Sequence, residues 1–117
     1  MIRSFKDLKI WQKSYQLCLL VYKITDTFPK EEKFGLISQI RRSAVSIPSN
    51  IAEGHGRKSR IEYIQFLYVS YGSICELETQ VLLTGDLNYI EDKRLSELKE
   101  NICDIERMLK GLIRSLK

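Results

Sequence analysis

The sequence predicts an all-α protein, folded as an antiparallel, up-down four-helix bundle. Apolar residues recur at alternating intervals of three and four through four segments, which is the period of a helix packed along one side. No segment shows the alternation of apolar and polar residues that is typical of strands. Glycine and proline are scarce, and three of them mark predicted helix ends. Because 117 residues support one core, we expect residues 1–117 to form a single domain.

The first predicted helix lies between Ser4 and Pro29. Ser4 and Asp7 have the spacing of a capping box, and Pro29 marks the end of the segment. The stripe with the spacing of a packed face contains Leu8, Trp11, Tyr15, Cys18, Tyr22 and Thr25. A second stripe lies well over a right angle away and contains Ile10, Leu17, Leu20, Val21 and Ile24. This helix therefore has a wide apolar surface.

The second predicted helix contains a proline. Its apolar stripe contains Ile37, Ile40, Ala44, Ile47 and Ile51. Pro48 lies within the stripe, and an interior proline costs about 3 kcal/mol and removes one backbone hydrogen bond. Because the stripe keeps its phase on both sides of Pro48, we expect one helix over residues 34–53, kinked at Pro48. Gly54 is expected to end this helix in the left-handed conformation.

Two further helices complete the predicted bundle. Ser59 and Glu62 have the spacing of a second capping box, which opens a third helix. This helix is expected to reach about Thr84, with Gly85 as its stop. The fourth helix is expected to begin near Glu91, because carboxylates favour the positive end of a helix. Its apolar stripe contains Leu95, Leu98, Ile102, Ile105, Leu109, Leu112 and Leu116.

The third predicted helix is apolar or aromatic on nearly all sides. Residues 61–90 contain no lysine or arginine. A helix that is apolar on most sides is buried on most sides, and one small bundle cannot provide that cover. The widths of the first and third helices therefore predict self-association.

Positive charge is concentrated before the third helix. The net charge is +4, and residues 30–60 contain seven cations against three anions. A helix N-terminus binds anions through its free N–H groups and its dipole. The candidate nucleic-acid-binding residues are Arg41, Arg42, Arg57, Lys58 and Arg60. Their contacts with phosphates would be independent of sequence and sensitive to salt. The alternative is that these cations only solubilise the surface.

The sequence offers little for catalysis or for metal binding. His55 is the only histidine, and Cys18, Cys75 and Cys103 show no paired spacing. We interpret the histidine as solvated and the cysteines as reduced and buried. Residues 54–59 superficially resemble a phosphate-binding loop, but the Walker spacing and a preceding strand are absent. We therefore predict no catalytic residue, no metal and no cofactor.

Several short runs carry a family resemblance. They are Phe5-x-x-Leu8-x-x-Trp11, Gln39-x-Arg41-Arg42, Gly72-Ser73-x-x-Glu76-Leu77-Glu78 and, most specific of all, SIPSNIAEG over residues 46–54. Together they resemble the bacterial 23S rRNA intervening-sequence proteins, over essentially the whole chain. The resemblance implies a four-helix bundle that assembles into a homopentameric ring. The fold is similar to that of the accessory variability protein of diversity-generating retroelements, which binds nucleic acid and a reverse transcriptase through basic surfaces.

The SIPSNIAEG run also has a structural interpretation. Its polar residues Ser46, Ser49 and Asn50 flank the proline and can bond the carbonyl groups that the proline leaves free. A polar network between helices is also expected, formed by Glu53, Glu76 and Asn50 with Arg41 or Arg57. We therefore favour a structural role for this run over a catalytic one.

These observations favour a non-enzymatic, homo-oligomeric bundle that binds nucleic acid, RNA in particular, on its basic side. The alternative is a protein-interaction scaffold, such as an accessory subunit for a reverse transcriptase or another nucleic-acid enzyme. An enzyme that uses His55 and a carboxylate is the least favoured hypothesis. The sequence contains no apolar run long enough to span a membrane and no signal-peptide pattern, so we expect a cytoplasmic protein without a membrane partner.

Overall fold

The computed structural model describes residues 2–117, and its regular structure there is all helical, as the sequence predicts. The helices are α1 (Lys9–Thr25), α2 (Leu36–His55), α3 (Arg60–Asp86) and α4 (Asp92–Leu116), with short 3₁₀ turns at Phe5–Asp7 and Lys30–Glu32. Each helix packs against its two neighbours, and the backbones of the diagonal pairs lie farther apart within the described residues. Hydrogen bonds join Ser43 to Glu76 and Ser46 to Ser73, so α2 and α3 run antiparallel. The four-helix bundle is confirmed, with extents of 43 × 25 × 21 Å.

The start of α1 differs from the prediction. The capping box of Ser4 and Asp7 exists, but it caps the short 3₁₀ turn and not α1. Leu8 then has an extended backbone, with φ of −74° and ψ of 126°, and α1 begins at Lys9. The helical conformation is therefore interrupted at Leu8, between the capped turn and α1. The N-terminus of α1 has no side-chain cap.

The packed face of α1 is also not the predicted one. The buried residues of this helix are Ile10, Ser14, Leu17, Val21, Ile24 and Thr25. Four of them, Ile10, Leu17, Val21 and Ile24, belong to the second stripe, and Thr25 is the one member of the first stripe among them. Tyr15 and Tyr22 of the first stripe are 44% and 42% exposed. The physical reason is side-chain chemistry. An exposed tyrosine keeps the hydrogen bonds of its hydroxyl group to water, whereas an aliphatic side chain has no hydrogen bond to give up in the core. The aromatic stripe of α1 consequently lies on the outside of the bundle, beside α2.

Helix α2 is continuous through Pro48, which confirms a single helix at this position. All five members of its predicted stripe are buried. The bend at Pro48 stays a prediction. The predicted role of Gly54 was wrong, because Gly54 lies inside α2 and no glycine among residues 2–117 has a positive φ. A Cβ at Gly54 would lie 2.7 Å from Cβ of Phe66 and 3.1 Å from Cδ1 of Tyr63, so this glycine permits α2 and α3 to approach each other closely.

The end of α3 shows a similar difference. Gly85 lies within α3, and the left-handed residue is Asn88, with φ of 62°. The N–H of Asn88 donates to the carbonyl of Gly85 at 3.1 Å, and the N–H of Tyr89 donates to that of Thr84 at 3.0 Å. This pair of bonds is a Schellman motif, with asparagine in the place of glycine. A Cβ at Gly85 would lie 2.7 Å from Cδ2 of Leu95, so both predicted helix stops are instead close approaches between helices.

The predicted stripe of α4 is largely correct. Its members Leu98, Ile102, Ile105 and Leu109 are buried, and the remaining three are half-buried. The stripe missed Ile113, which is buried one turn after Leu109. Helix α3 begins as predicted, because Ser59 accepts a hydrogen bond from the backbone N–H of Glu62 at 3.1 Å. No helix within residues 2–117 combines the length and the apolar character that crossing a bilayer requires.

Candidate nucleic-acid interface

The loop between α2 and α3 exposes three of the predicted cations. Arg57, Lys58 and Arg60 are all exposed, at the N-terminus of the 27-residue helix α3. Arg57 is held in place, because its Nη2 donates to Oε2 of Glu53 at 2.9 Å and its guanidinium lies 4.9 Å from the centre of the Phe66 ring. The side chains of Lys58 and Arg60 form no hydrogen bond or ion pair with the described residues. They are therefore available to an anion near the positive end of α3.

Arg41 lies elsewhere and has internal partners. Its Nε donates to Oγ1 of Thr25 at 2.9 Å, and its Nη2 donates to the backbone carbonyl of Tyr22 at 3.3 Å. The same Nη2 lies 3.6 Å from Oδ1 of Asp26. The carbonyl of Tyr22, in the last turn of α1, also accepts from the backbone N–H of Asp26 at 3.2 Å. Arg41 thus adds a second donor at the C-terminal end of α1.

The predicted set divides into two groups. Arg42 is exposed and lies beside Arg41 near the start of α2, whereas Arg57 follows the end of that helix. Fifteen residues separate Arg42 from Arg57, which is about 22 Å at 1.5 Å per residue. The structure therefore brings Arg57, Lys58 and Arg60 together and leaves Arg41 and Arg42 at a distance from them.

Sequence reasoning missed a second cationic group, at the same end of the bundle as the loop between α2 and α3. Near the C-terminus of α4, three cations line a groove against α3, namely Lys110, Arg114 and Lys117. Lys110 and Lys117 place their Nζ atoms 5.5 Å and 5.4 Å from the ring centres of Tyr71 and Tyr68. The signal in the sequence was the spacing of the three cations, which places them on one side of a helix. It went unused because α4 as a whole is nearly balanced in charge.

Charge is therefore polarised along the bundle. The N-terminal half of α3 lies against the C-terminal end of α4, so both cationic groups share one end. We call this region the cationic end and define it by Arg57, Lys58, Arg60, Lys110, Arg114 and Lys117. The loops at the opposite end contain most of the exposed carboxylates near a helix end, namely Asp26, Glu31, Asp86, Glu91 and Asp92. Exposed Lys23, Lys30, Lys33 and Lys93 lie at the same opposite end and offset these carboxylates. An anionic partner is therefore attracted chiefly to the cationic end.

Groups that could carry chemistry are scattered. His55 is the last residue of α2, half-buried, with its ring edge-on to Tyr63 at 5.8 Å between centres. The interpretation of all three cysteines as buried was wrong, because Cys103 is exposed on the polar side of α4 and Cys18 and Cys75 are half-buried. Burial raises the pKa of the Cys18 thiol, and burial followed by the nearby Glu106 and Glu78 raises that of Cys75. Within residues 2–117 no three His, Cys, Asp or Glu side chains are grouped as metal ligands.

A family model for the 23S rRNA-intervening sequence protein matches residues 6–111. The chain belongs to this family. The solved structures include a similar protein of unknown function from the S23 ribosomal protein family of Bacteroides thetaiotaomicron VPI-5482. It is 24% identical, covers 89% of this chain and 97% of its own, and has a TM-score of 0.80, which shows the shared fold. No curated protein matches the chain.

In this 23S rRNA-intervening sequence protein, the SIPSNIAEG run forms the contact of α2 with α3. The hydroxyl groups of Ser46 and Ser73 lie 2.8 Å apart, and Ser70 donates to the carbonyl of Ile47 at 2.8 Å. Asn50 donates to the carbonyl of Ser46, also at 2.8 Å. Together with the close approach at Gly54, these bonds give the run a structural role.

The predicted polar network of this intervening-sequence protein does not form as one unit. Glu76 accepts a hydrogen bond from Ser43 at 3.0 Å, whereas Glu53 in the last turn of α2 pairs with Arg57 in the loop that follows. Asn50 bonds to Ser46, not to either carboxylate. The separation arises because Glu76 on α3 lies beside Ser43, two helical turns before Asn50 and further still from Glu53.

Proposed function

We propose that this protein is a non-enzymatic, homo-oligomeric bundle that binds nucleic acid, RNA in particular, through its cationic end. The observation that carries the proposal is the grouping of six cations at one end, with Lys58 and Arg60 exposed and unpaired among the described residues. Phosphate contacts from lysine and arginine supply most of the affinity in binding that does not depend on sequence.

Self-association is supported by the outer face of α3. Large apolar side chains are exposed there, with Val69 at 50% and Leu83 at 45%. Exposed apolar side chains on one helix are typical of an interaction site, and the absence of lysine and arginine from residues 61–90 leaves this face free of positive charge. The family resemblance favours five copies. A ring would present several cationic ends to one RNA, so that individually weak contacts add up through avidity.

The test compares two variants of equal charge. We expect the double variant Lys58→Ser with Arg60→Gln to bind RNA more weakly, and to lower the magnitude of the log–log salt slope by about 0.7–0.9 for each lost phosphate contact. The matched control is Lys30→Ser with Lys93→Gln, which removes two exposed cations from the opposite end. RNA binding measured by fluorescence anisotropy between about 50 and 200 mM salt covers the sensitive range. Equal losses in both variants, or no binding at the lowest salt, would contradict the proposal.

The second candidate is a scaffold or accessory subunit for a nucleic-acid enzyme such as a reverse transcriptase. The observation that favours it is an apolar groove of about 330 Å³ between α1 and α2. This groove is lined by Trp11, Tyr15, Cys18, Val45, Pro48, Ser49 and Ala52. It contains no charged side chain, so it suits a protein surface better than a phosphate. Loss of enzyme binding in Val45→Glu, with RNA binding intact, would separate this function from the first.

A further inference from the structure

A groove between α3 and α4 combines aromatic rings with positive charge at the cationic end. Its volume is about 340 Å³, and it is lined by Tyr68, Tyr71, Lys110, Ile113, Arg114 and Lys117. This volume is within the range of small-molecule pockets. Ile113 is buried beneath the cations, and no carboxylate lines the groove. The groove is therefore suited to a ligand that is both anionic and flat.

The two tyrosines differ in what they offer. Tyr68 is 48% exposed, and Nζ of Lys117, at the C-terminal end of α4, lies 5.4 Å from its ring centre. A cation–π contact at an exposed site is weak, so a stacking base can displace this lysine from the ring face. Tyr71 is half-buried and raises the pKa of Lys110, chiefly through a side-chain hydrogen bond. Lys110 is thereby kept charged beside the groove.

We infer that this groove holds an unpaired nucleobase of a single-stranded RNA, stacked on Tyr68 while the adjacent phosphates contact Arg114 and Lys117. The inference rests on the proposed function and adds to it the group that is recognised, an unpaired base in addition to the phosphates. Base stacking on aromatic rings beside a positive surface is the general mode of single-strand binding. A base within a duplex is already stacked and must be extruded at a cost, so the groove selects single strands.

The position of the groove supports a strand over a free nucleotide. Arg60 and Tyr68 are eight residues apart on α3, which is about 12 Å along the helix. A strand whose phosphates contact the unpaired cations Lys58 and Arg60 therefore also reaches the groove. An acidic peptide satisfies the same cations but makes no use of the ring face of Tyr68. The combination of ring and charge is what favours RNA.

The experiment compares two RNA probes with the same number of phosphates, one with all its bases and one abasic throughout. We expect the unmodified protein to bind the base-bearing probe at least about fivefold more tightly, since one stacked base contributes at least this factor. Tyr68→Leu should reduce the preference to less than about twofold and leave the affinity for the abasic probe unchanged. The control is Tyr15→Leu, which removes a similarly exposed tyrosine from α1 and should retain the preference.

Each other outcome is decisive. Equal affinity of the unmodified protein for both probes would overturn the inference and leave the proposed function standing, whereas binding of neither probe would overturn both. A change of particle mass in Tyr68→Leu, measured by light scattering, would show that a second copy covers the groove and would overturn the inference. Equal competition by a polyglutamate peptide of matching charge would assign the groove to acidic proteins, with the same consequence.

Discussion

The guanidinium of Arg41 on α2 crosses to the end of α1, where its Nε lies 2.9 Å from Oγ1 of Thr25. The threonine hydroxyl in turn donates to the backbone carbonyl of Val21 at 2.8 Å. The guanidinium also lies 4.6 Å from the ring centre of Tyr22. Arg41 therefore joins the second helix to the last turn of the first through a charged group, a hydroxyl group and an aromatic ring.

This contact predicts a stability role for Arg41. We expect Arg41→Met to lower the free energy of unfolding by about 1–2 kcal/mol, since it removes hydrogen bonds to Thr25 and to the end of α1. Chemical denaturation measures the effect. The neighbouring Arg42→Met is the control, and as an exposed substitution it should change stability by less than about 0.5 kcal/mol. Equal effects of the two variants would show that the contacts of Arg41 contribute nothing.

The close approach at Gly54 predicts a large effect of a single methyl group. Gly54→Ala places a Cβ 2.7 Å from Cβ of Phe66, so we expect it to destabilise the protein by about 1–3 kcal/mol through overpacking. Gly72→Ala is the matched control, because a Cβ there meets nothing within 4 Å. Alanine is the better helix former, so this control should stabilise the protein by about 0.5–1 kcal/mol. Thermal unfolding of both variants measures whether their stabilities change in opposite directions. A change in the same direction would refute the packing role of Gly54.

A glutamate on α4 predicts a pH dependence. Burial, followed by hydrogen bonding and charge repulsion from Glu78, raises the pKa of Glu106, and Lys110 opposes this shift. A carboxyl group with a raised native pKa binds its proton more tightly in the folded state. The contribution of Glu106 to the free energy of unfolding is therefore largest below the ordinary glutamate pKa. This contribution is lost as the pH rises through the raised native pKa.

The variant Glu106→Gln removes this decrease. It should match the parent protein near about pH 4, where the glutamate is protonated, and exceed it at neutral pH. We expect the midpoint of thermal unfolding to rise by about 2–4 °C at pH 7, on the scale of a few degrees per kcal/mol. The exposed Glu100→Gln on the same helix is the control. A constant difference between Glu106→Gln and the parent across this pH range would contradict the assignment.

The outer face of α3 predicts how assembly can be disrupted. Val69→Glu places a charge on this exposed apolar face, so we expect it to reduce the particle mass toward the 13.7 kDa of one chain. Light scattering at micromolar concentration measures the mass. Leu87→Glu is the control, since Leu87 is similarly exposed but lies beyond the end of α3. A monomeric parent protein would refute self-association itself.

The core of two helices was predictable because it depends on local periodicity. The stripe of α2 and most of that of α4 are buried, and in both helices one side is clearly more apolar than the rest. Helix α1 has two apolar stripes, and periodicity alone could not rank them. The choice between Leu17 and Tyr15 depends on which side chain fits between the neighbouring helices, and that is information from other segments.

The candidate site was predictable only where it is local in sequence. Arg57, Lys58 and Arg60 lie within four residues of one another, and they do share one exposed loop. Their separation from Arg41 depends on the length of α2. The pairing of Tyr68 with Lys117 joins residues 49 positions apart, and no pattern along the chain indicates it.

By itself, the sequence determined the number of helices, their approximate limits, the continuity of α2 through Pro48 and the family of the protein. Each of these follows from spacing within a segment or from a contiguous motif, because helix formation and capping involve neighbours along the chain. Only the tertiary structure decided which side of α1 is buried, why Gly54 and Gly85 are glycines, and that α3 and α4 form a groove of tyrosines and cations. These features depend on the distance between helix surfaces, which is set when four helices pack at once.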